Sequence, residues 1–93
     1  MAYVLYCLDK PDSLAVRMAT REAHLAYMAG FAEKRILVGP LLDEAGAMCG
    51  SLLIMNFATR AEAEAMAAGD PYAKAGLFQS VEIRPFKKVF PAE

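Results

Sequence analysis

Two helical stretches, each set between short apolar runs, leave this 93-residue chain few ways to fold. Tyr3–Leu8 carries aromatic and branched residues and ends at the turn set Asp9-Lys10-Pro11-Asp12, so it reads as a strand. A helix follows, capped by Asp12 or Ser13, with apolar residues recurring at Leu14, Met18, Leu25, Met28 and Ala32. Thr20 is a second possible cap and marks a potential break, while Gly30 reads as an interruption rather than a stop. Ile36–Leu42 is the second strand; its Pro40 cannot donate to a ladder and so predicts an edge or a bulge. A glycine-bearing loop, Asp43–Gly50, leads to a third strand, Ser51–Phe57. Thr59-Arg60-Ala61-Glu62 is a capping box, a specific start signal for a second helix that runs to about Ala68, with Gly69 suited to C′. Asp70-Pro71 opens a further short helical turn. Phe78–Ile83 is the last strand, and Arg84–Phe90 a tail.

A βαββαβ order with two crossover helices implies a four-stranded antiparallel sheet with both helices on one face, the ferredoxin-like α+β arrangement. The length predicts a single domain over residues 1–93. Alternate positions on both faces of the strands are apolar, as in Tyr3, Leu5, Cys7 and Leu53, Met55, Phe57, and 57% of the chain is hydrophobic. The sheet face without helices therefore needs a cover, and a second copy supplies one, which predicts a homodimer. A net charge of −1 with no basic block offers no footprint for nucleic acid, and Lys87-Lys88 reads as a solvated face. No apolar run approaches the roughly 20 residues of a membrane span. The N-terminus lacks a basic region before its apolar run, which argues against a signal peptide and for the cytoplasm. Cys7 reads as a small core hydrophobe and Cys49 as a turn residue. One histidine and two distant cysteines are a poor ligand supply, so no metal or other cofactor is expected.

Chemistry centres on the lone histidine. His24 shares a helical face with Arg21 and Met28, and with Arg17 if the helix is unbroken, at the flank of the apolar stripe. Imidazole is the side chain naturally poised for proton transfer at neutral pH; the plainer alternative is a boundary histidine satisfied by a carbonyl. Asp70 before Pro71 is explained by helix capping alone. A functional reading adds a carboxylate oxygen accepting from His24 Nδ1–H, fixing the tautomer. Arg21 lies within the apolar stripe and either snorkels, pairs with an acid such as Asp70, or grips an anion, with Arg17 able to assist. Ser51 is a candidate hydrogen-bonding residue for a substrate, with no base identified beside it. Tyr6 and Tyr72 are candidate pocket walls, and Met18, Met28, Met55 and Met66 candidate core filler.

Ser13-Leu14 with Arg17, Arg21-x-x-His24-Leu25, Gly39-Pro40, Gly50-Ser51, Asp70-Pro71-Tyr72-x-x-Ala75-Gly76 and Pro85-Phe86-Lys87-Lys88-Val89-Phe90, taken in order, resemble the YciI-like (YCII-related) family. The resemblance implies a dimeric α/β barrel of two ferredoxin-like subunits, with a histidine and an aspartate together in a cleft; the matching positions are His24 and Asp70. A family relative removes chloride from a hydroxyquinol, and the superfold includes a muconolactone isomerase, which implies elimination or isomerisation without transferring a substrate. Two features depart: the loop between the second and third strands is shorter than in close relatives of the family's namesake, and Glu22 stands where they have proline.

Three readings follow. The first is a cofactor-independent lyase or isomerase in which His24 moves a proton on a small anionic, cyclic or enolic substrate, Asp70 orients it, and Arg21 with Arg17 holds the anion. Second comes a non-catalytic module that binds a small anion in the same cleft. Oxygenation of the kind carried out by antibiotic-biosynthesis monooxygenases is the third, with no distinctive residue in its favour.

Overall fold

The computed structural model describes residues 1–92. In chain order the elements are β1 (Ala2–Asp9), α1 (Leu14–Ala29), β2 (Arg35–Leu42), β3 (Met48–Asn56), α2 (Arg60–Gly69), α3 (Pro71–Lys74) and β4 (Phe78–Phe86). The sheet order is β2-β3-β1-β4, with every neighbouring pair antiparallel. This is the ferredoxin-like α+β architecture. Pro40 lies on β2, an edge strand, where its missing N–H costs no inner ladder bond.

Register decides which residues meet the helices. Leu5 opposes Leu53 on one side and Ile83 on the other, and Cys7 opposes Ser51 and Val81. Residues directly opposite share a face, so Tyr3, Leu5, Cys7, Ser51, Leu53 and Met55 all point toward the helices, and all are buried. Met28 of α1, Ala63 and Met66 of α2, and Phe57 complete this core. The opposite face carries Val4, Tyr6, Leu8, Leu52 and Ile54 with no helix over it.

Several boundaries differ from expectation. β3 begins at Met48, so Cys49 and Gly50 are strand residues, and the turn shrinks to about Asp43–Ala47, whose Asp43 carboxylate accepts from the N–H groups of Ala45 and Ala47. Gly50 opposes Leu8 and Leu41, and a Cβ there would sit 2.4 Å from the Cys7 carbonyl oxygen. Only glycine allows these strands to close. β4 runs on through Arg84-Pro85-Phe86, because Pro85 lies on an edge strand.

α1 is continuous through Thr20, whose hydroxyl donates to the Val16 carbonyl one turn back at 2.8 Å instead of capping. It stops at Ala29, with Gly30 as C-cap, rather than reaching Ala32. Ser13 takes the N-cap position, but its hydroxyl turns to the Pro11 carbonyl. The capping box at Thr59 and Glu62 is present. Gly69 is the last residue of α2 rather than C′, and a Cβ on it would meet the Tyr27 hydroxyl at 2.6 Å. That hydroxyl donates to the Met66 carbonyl at 2.9 Å and ties α1 to α2.

The largest revision concerns the face of α1. Leu14, Met18 and Leu25, the apolar stripe of the sequence, are 45%, 51% and 49% exposed. Arg17, His24 and Met28 are the buried residues of this helix. Met18 is therefore not core, whereas Met28, Met55 and Met66 are.

Candidate active site

A polar face can be buried only if its groups are satisfied by one another. On α1 they are. The buried polar and charged residues are Arg17, His24, Ser51 and Asp70, and they belong to one network that Asp9 and Tyr72 complete.

α3 supplies two members. Asp70 caps this short helix by accepting from the Tyr72 N–H at 2.9 Å, with Pro71 at the first helical position, where its missing N–H is harmless. The same oxygen, Oδ1, lies 2.9 Å from His24 Nδ1. A carboxylate can only accept, so Nδ1 carries a proton, and the tautomer this favours for a neutral imidazole has its lone pair on Nε2. The Tyr72 ring stacks on the imidazole, with centroids 4.1 Å apart and planes 19° from parallel.

The other half of the network lies across the tyrosine. Arg17 Cζ is 4.5 Å from the centre of the Tyr72 ring. Its guanidinium forks onto Asp9, Nε to Oδ2 at 2.7 Å and an Nη to Oδ1 at 2.9 Å, and that Nη also donates to Ser51 Oγ at 2.9 Å. Arg17 and Asp9 keep only 2% and 5% side-chain exposure. Arg17 is thus engaged by the chain's own carboxylate, where the sequence reading has it gripping a ligand anion. Ser51 likewise bonds Arg17.

Charges follow from this packing. Burial would lower the Arg17 pKa, but hydrogen bonding and charge from Asp9, then Tyr72, more than reverse it and raise it, keeping the guanidinium charged. Burial raises the Tyr72 phenol; Arg17 and Arg21 oppose that rise, and Asp70 adds to it. Burial also pushes the Cys7 thiol up to about 12, with Asp70 and Asp9 adding to the shift and Arg17 opposing it. Cys7 is therefore a core residue with no thiolate to offer at neutral pH.

Two of the expected residues stand apart. Arg21 is exposed, and no ion pair engages it among the described residues. Tyr6 lies on the helix-free face of the sheet, away from the network. Asp9 escapes a sequence reading because an acid beside Lys10-Pro11-Asp12 reads as turn punctuation. A cavity of 360 Å³ opens at its end of the network, bordered by Asp9, Lys10, Ser13, Asp43 and Cys49. A larger hollow of 660 Å³, bordered by Met1, Ile36, Asn56 and Phe86, shares no residue with the network. Among the described residues no three His, Cys, Asp or Glu side chains gather as metal ligands, and no helix is long and apolar enough to cross a membrane.

The domain is ferredoxin-like, with a histidine–aspartate pair buried beneath its helices. The YCII-related domain matches residues 1–87, and the chain belongs to that family. Protein YciI of Escherichia coli O6:H1 and of Shigella flexneri are each 40% identical to it over 98 residues, spanning 97% of this chain and all of theirs. A Haemophilus influenzae protein is 41% identical over 99 residues, with the same coverage. Among solved structures, the 5-chloro-2-hydroxyhydroquinone dehydrochlorinase TftG of Burkholderia phenoliruptrix AC1100, in complex with 2,5-dihydroxybenzoquinone, superposes with a TM-score of 0.88 at 35% identity, covering 94% of each chain.

Proposed function

We propose that this protein is a cofactor-independent lyase or isomerase that moves a proton on a small hydroxylated, enolisable ring. The observation that carries the reading is the buried His24–Asp70 bond. In the neutral form of the imidazole that bond puts the lone pair on Nε2, with a carboxylate behind the ring to balance the charge that forms. Nε2 takes a proton from a ring hydroxyl or acidic ring carbon, and the electron pair left behind enters the ring. Elimination follows on a quinol ring if that proton is returned to the carbon bearing the leaving anion; loss of the proton of a conjugated ring hydroxyl to Nε2 then forms a carbonyl, shifts the ring double bond and expels the anion. Isomerisation follows if His24 returns the proton to a different atom.

The similarity to a dehydrochlorinase held with a dihydroxybenzoquinone supports elimination on a quinol-like ring. Arg17 is occupied by Asp9, so the cation available to meet substrate charge is Arg21, and a phenolate suits it as well as a carboxylate does. Ser51 and Tyr72 then shape the site rather than bind through free polar groups. We also propose that two copies associate through the helix-free sheet faces, giving the dimeric barrel that the resemblance implies.

The test is direct. 2,5-dihydroxybenzoquinone is expected to raise the melting temperature of the wild type, since a ligand that binds only the folded state stabilises it. Chloride release from 5-chloro-2-hydroxyhydroquinone is expected from the wild type and not from His24→Gln. Binding without chloride release or any isomerised product supports the small-anion binding module instead. A His24→Gln protein with wild-type turnover ends the proposal.

A further inference from the structure

We infer that Asp9, Arg17 and Ser51 are positioning residues: a clamp that holds the Tyr72 ring against His24 and so sets the plane of the imidazole. The inference rests on the reading of His24 given above but concerns three residues that touch neither the reacting atoms nor Asp70.

Three observations converge. First, the clamp is expensive to bury. Taking two charges out of water offsets most of their attraction, and well-packed apolar residues in place of a buried ion pair are often neutral or stabilising. Stability alone therefore gives a chain of 93 residues little reason to keep Arg17 and Asp9 at 2% and 5% exposure. Second, the guanidinium is fixed in all directions that matter. Three hydrogen bonds that it donates, two to Asp9 at the end of β1 and one to Ser51 on β3, set its plane and its depth. The flexible arginine becomes a rigid shelf anchored in the sheet.

Third, the clamp leads to one place. His24 lies seven residues beyond Arg17 on the same helix, a rise of about 10.5 Å. Tyr72 spans that interval, with its ring 4.5 Å from Arg17 Cζ and 4.1 Å from the imidazole centroid. α3 has only four residues and no ladder to hold it. Its place depends on what Tyr72 touches, and Tyr72 is the buried side chain of this helix. A displaced Tyr72 would carry with it the backbone N–H that shares Asp70 Oδ1 with His24. The clamp thus controls both faces of the proton-transfer pair: the ring stacked on the imidazole and the carboxylate behind it.

Because His24 is the only histidine, its imidazole protons can be followed without ambiguity by NMR. Stacking on Tyr72 displaces them upfield, and Tyr72→Leu gives the undisplaced reference. The paired variant Asp9→Asn/Arg17→Met removes both charges together. It is expected to keep the wild-type circular dichroism spectrum and cooperative melting while the His24 resonances move most of the way to the reference. Arg17→Lys keeps the charge without the fork and is expected to show a smaller shift in the same direction, which preserves the test if the paired variant does not fold. Turnover should drop roughly a hundredfold in the paired variant, the scale of a misplacement of about 1 Å, with the loss mainly in kcat. His24 resonances at the wild-type position in folded variants overturn the clamp. Failure of the wild type to bind 2,5-dihydroxybenzoquinone overturns only the functional reading, since the resonance test needs no ligand.

Discussion

Asp70 performs two tasks with one oxygen. Oδ1 caps α3 through the Tyr72 N–H and meets His24 Nδ1, each at 2.9 Å. The tasks separate in Asp70→Asn, because asparagine caps about as well as aspartate but supplies no charge to balance an imidazolium. That variant is expected to stay folded, with turnover reduced by roughly 10²–10⁴-fold, the range for losing the orienting acid of a proton-transfer pair. Chloride release at saturating substrate measures it, and an unchanged rate would remove Asp70 from the chemistry. Cys7 offers a different residue-scale prediction. Its thiol is raised from 9.0 to about 12, chiefly by burial. The folded state holds that proton more tightly than the unfolded state, so its contribution is complete below pH 9 and is lost as pH rises toward 12. At pH 10.5 the loss amounts to about 2 kcal/mol. Urea denaturation at pH 8 and pH 10.5 should show this fall in the wild type and a shallower one in Cys7→Ala; Tyr72 and Tyr27, whose phenols burial also raises, account for the remainder.

At the scale of elements, the sequence is legible wherever local chemistry and burial agree. The capping box, Asp70-Pro71, the strand Tyr3–Leu8 and the edge proline all read through to the structure because each is a local constraint. On α1 the two signals part. Hydrophobic periodicity assumes that the core side of a helix is apolar, whereas here that side carries Arg17 and His24 and the apolar residues Leu14, Met18 and Leu25 face outward. The meeting of His24 with Asp70 is legible from the order of family motifs, and the engagement of Arg17 by Asp9 is not, since nothing in the local sequence announces that an acid at a strand end reaches an arginine on the next helix. Strand β3 carries a further test. A methyl group on Gly50 would press on the Cys7 carbonyl at 2.4 Å and the Leu41 side chain at 3.0 Å. Leucine can rotate away, but a ladder carbonyl between paired strands cannot. Gly50→Ala is expected to destabilise the fold by on the order of 2–3 kcal/mol, the upper part of the range for single substitutions. A urea midpoint within error of the wild type would mean that β1 and β3 separate more freely than their register suggests.

For the whole molecule, the sheet divides two environments. Helices cover one face and enclose the entire network, every member of which comes from a single chain. The other face presents Tyr6 at 39%, Leu8 at 37%, Leu37 at 60% and Phe86 at 38% exposure, with Val4, Leu52 and Ile54 between them. Its charged pair, Glu82 and Arg84, is already matched at 3.1 Å, so a second copy could cover the surface without leaving either charge unanswered. A stable interface needs about 800 Å² from each partner. Tyr6 sits on β1, an inner strand, and its side chain is exposed in the protomer, so Tyr6→Glu should be tolerated by the fold and not by the association. Sedimentation equilibrium is expected to give a dimer for the wild type and a monomer for this variant. The His24 resonances should keep their upfield displacement in the monomer, because the clamp and the pair lie on the far side of the sheet from the substitution. A wild type that sediments as a monomer would remove the barrel from the description. A monomeric variant that lost the displacement would mean that the second copy braces the site through the sheet, and that the network is not self-sufficient within one chain.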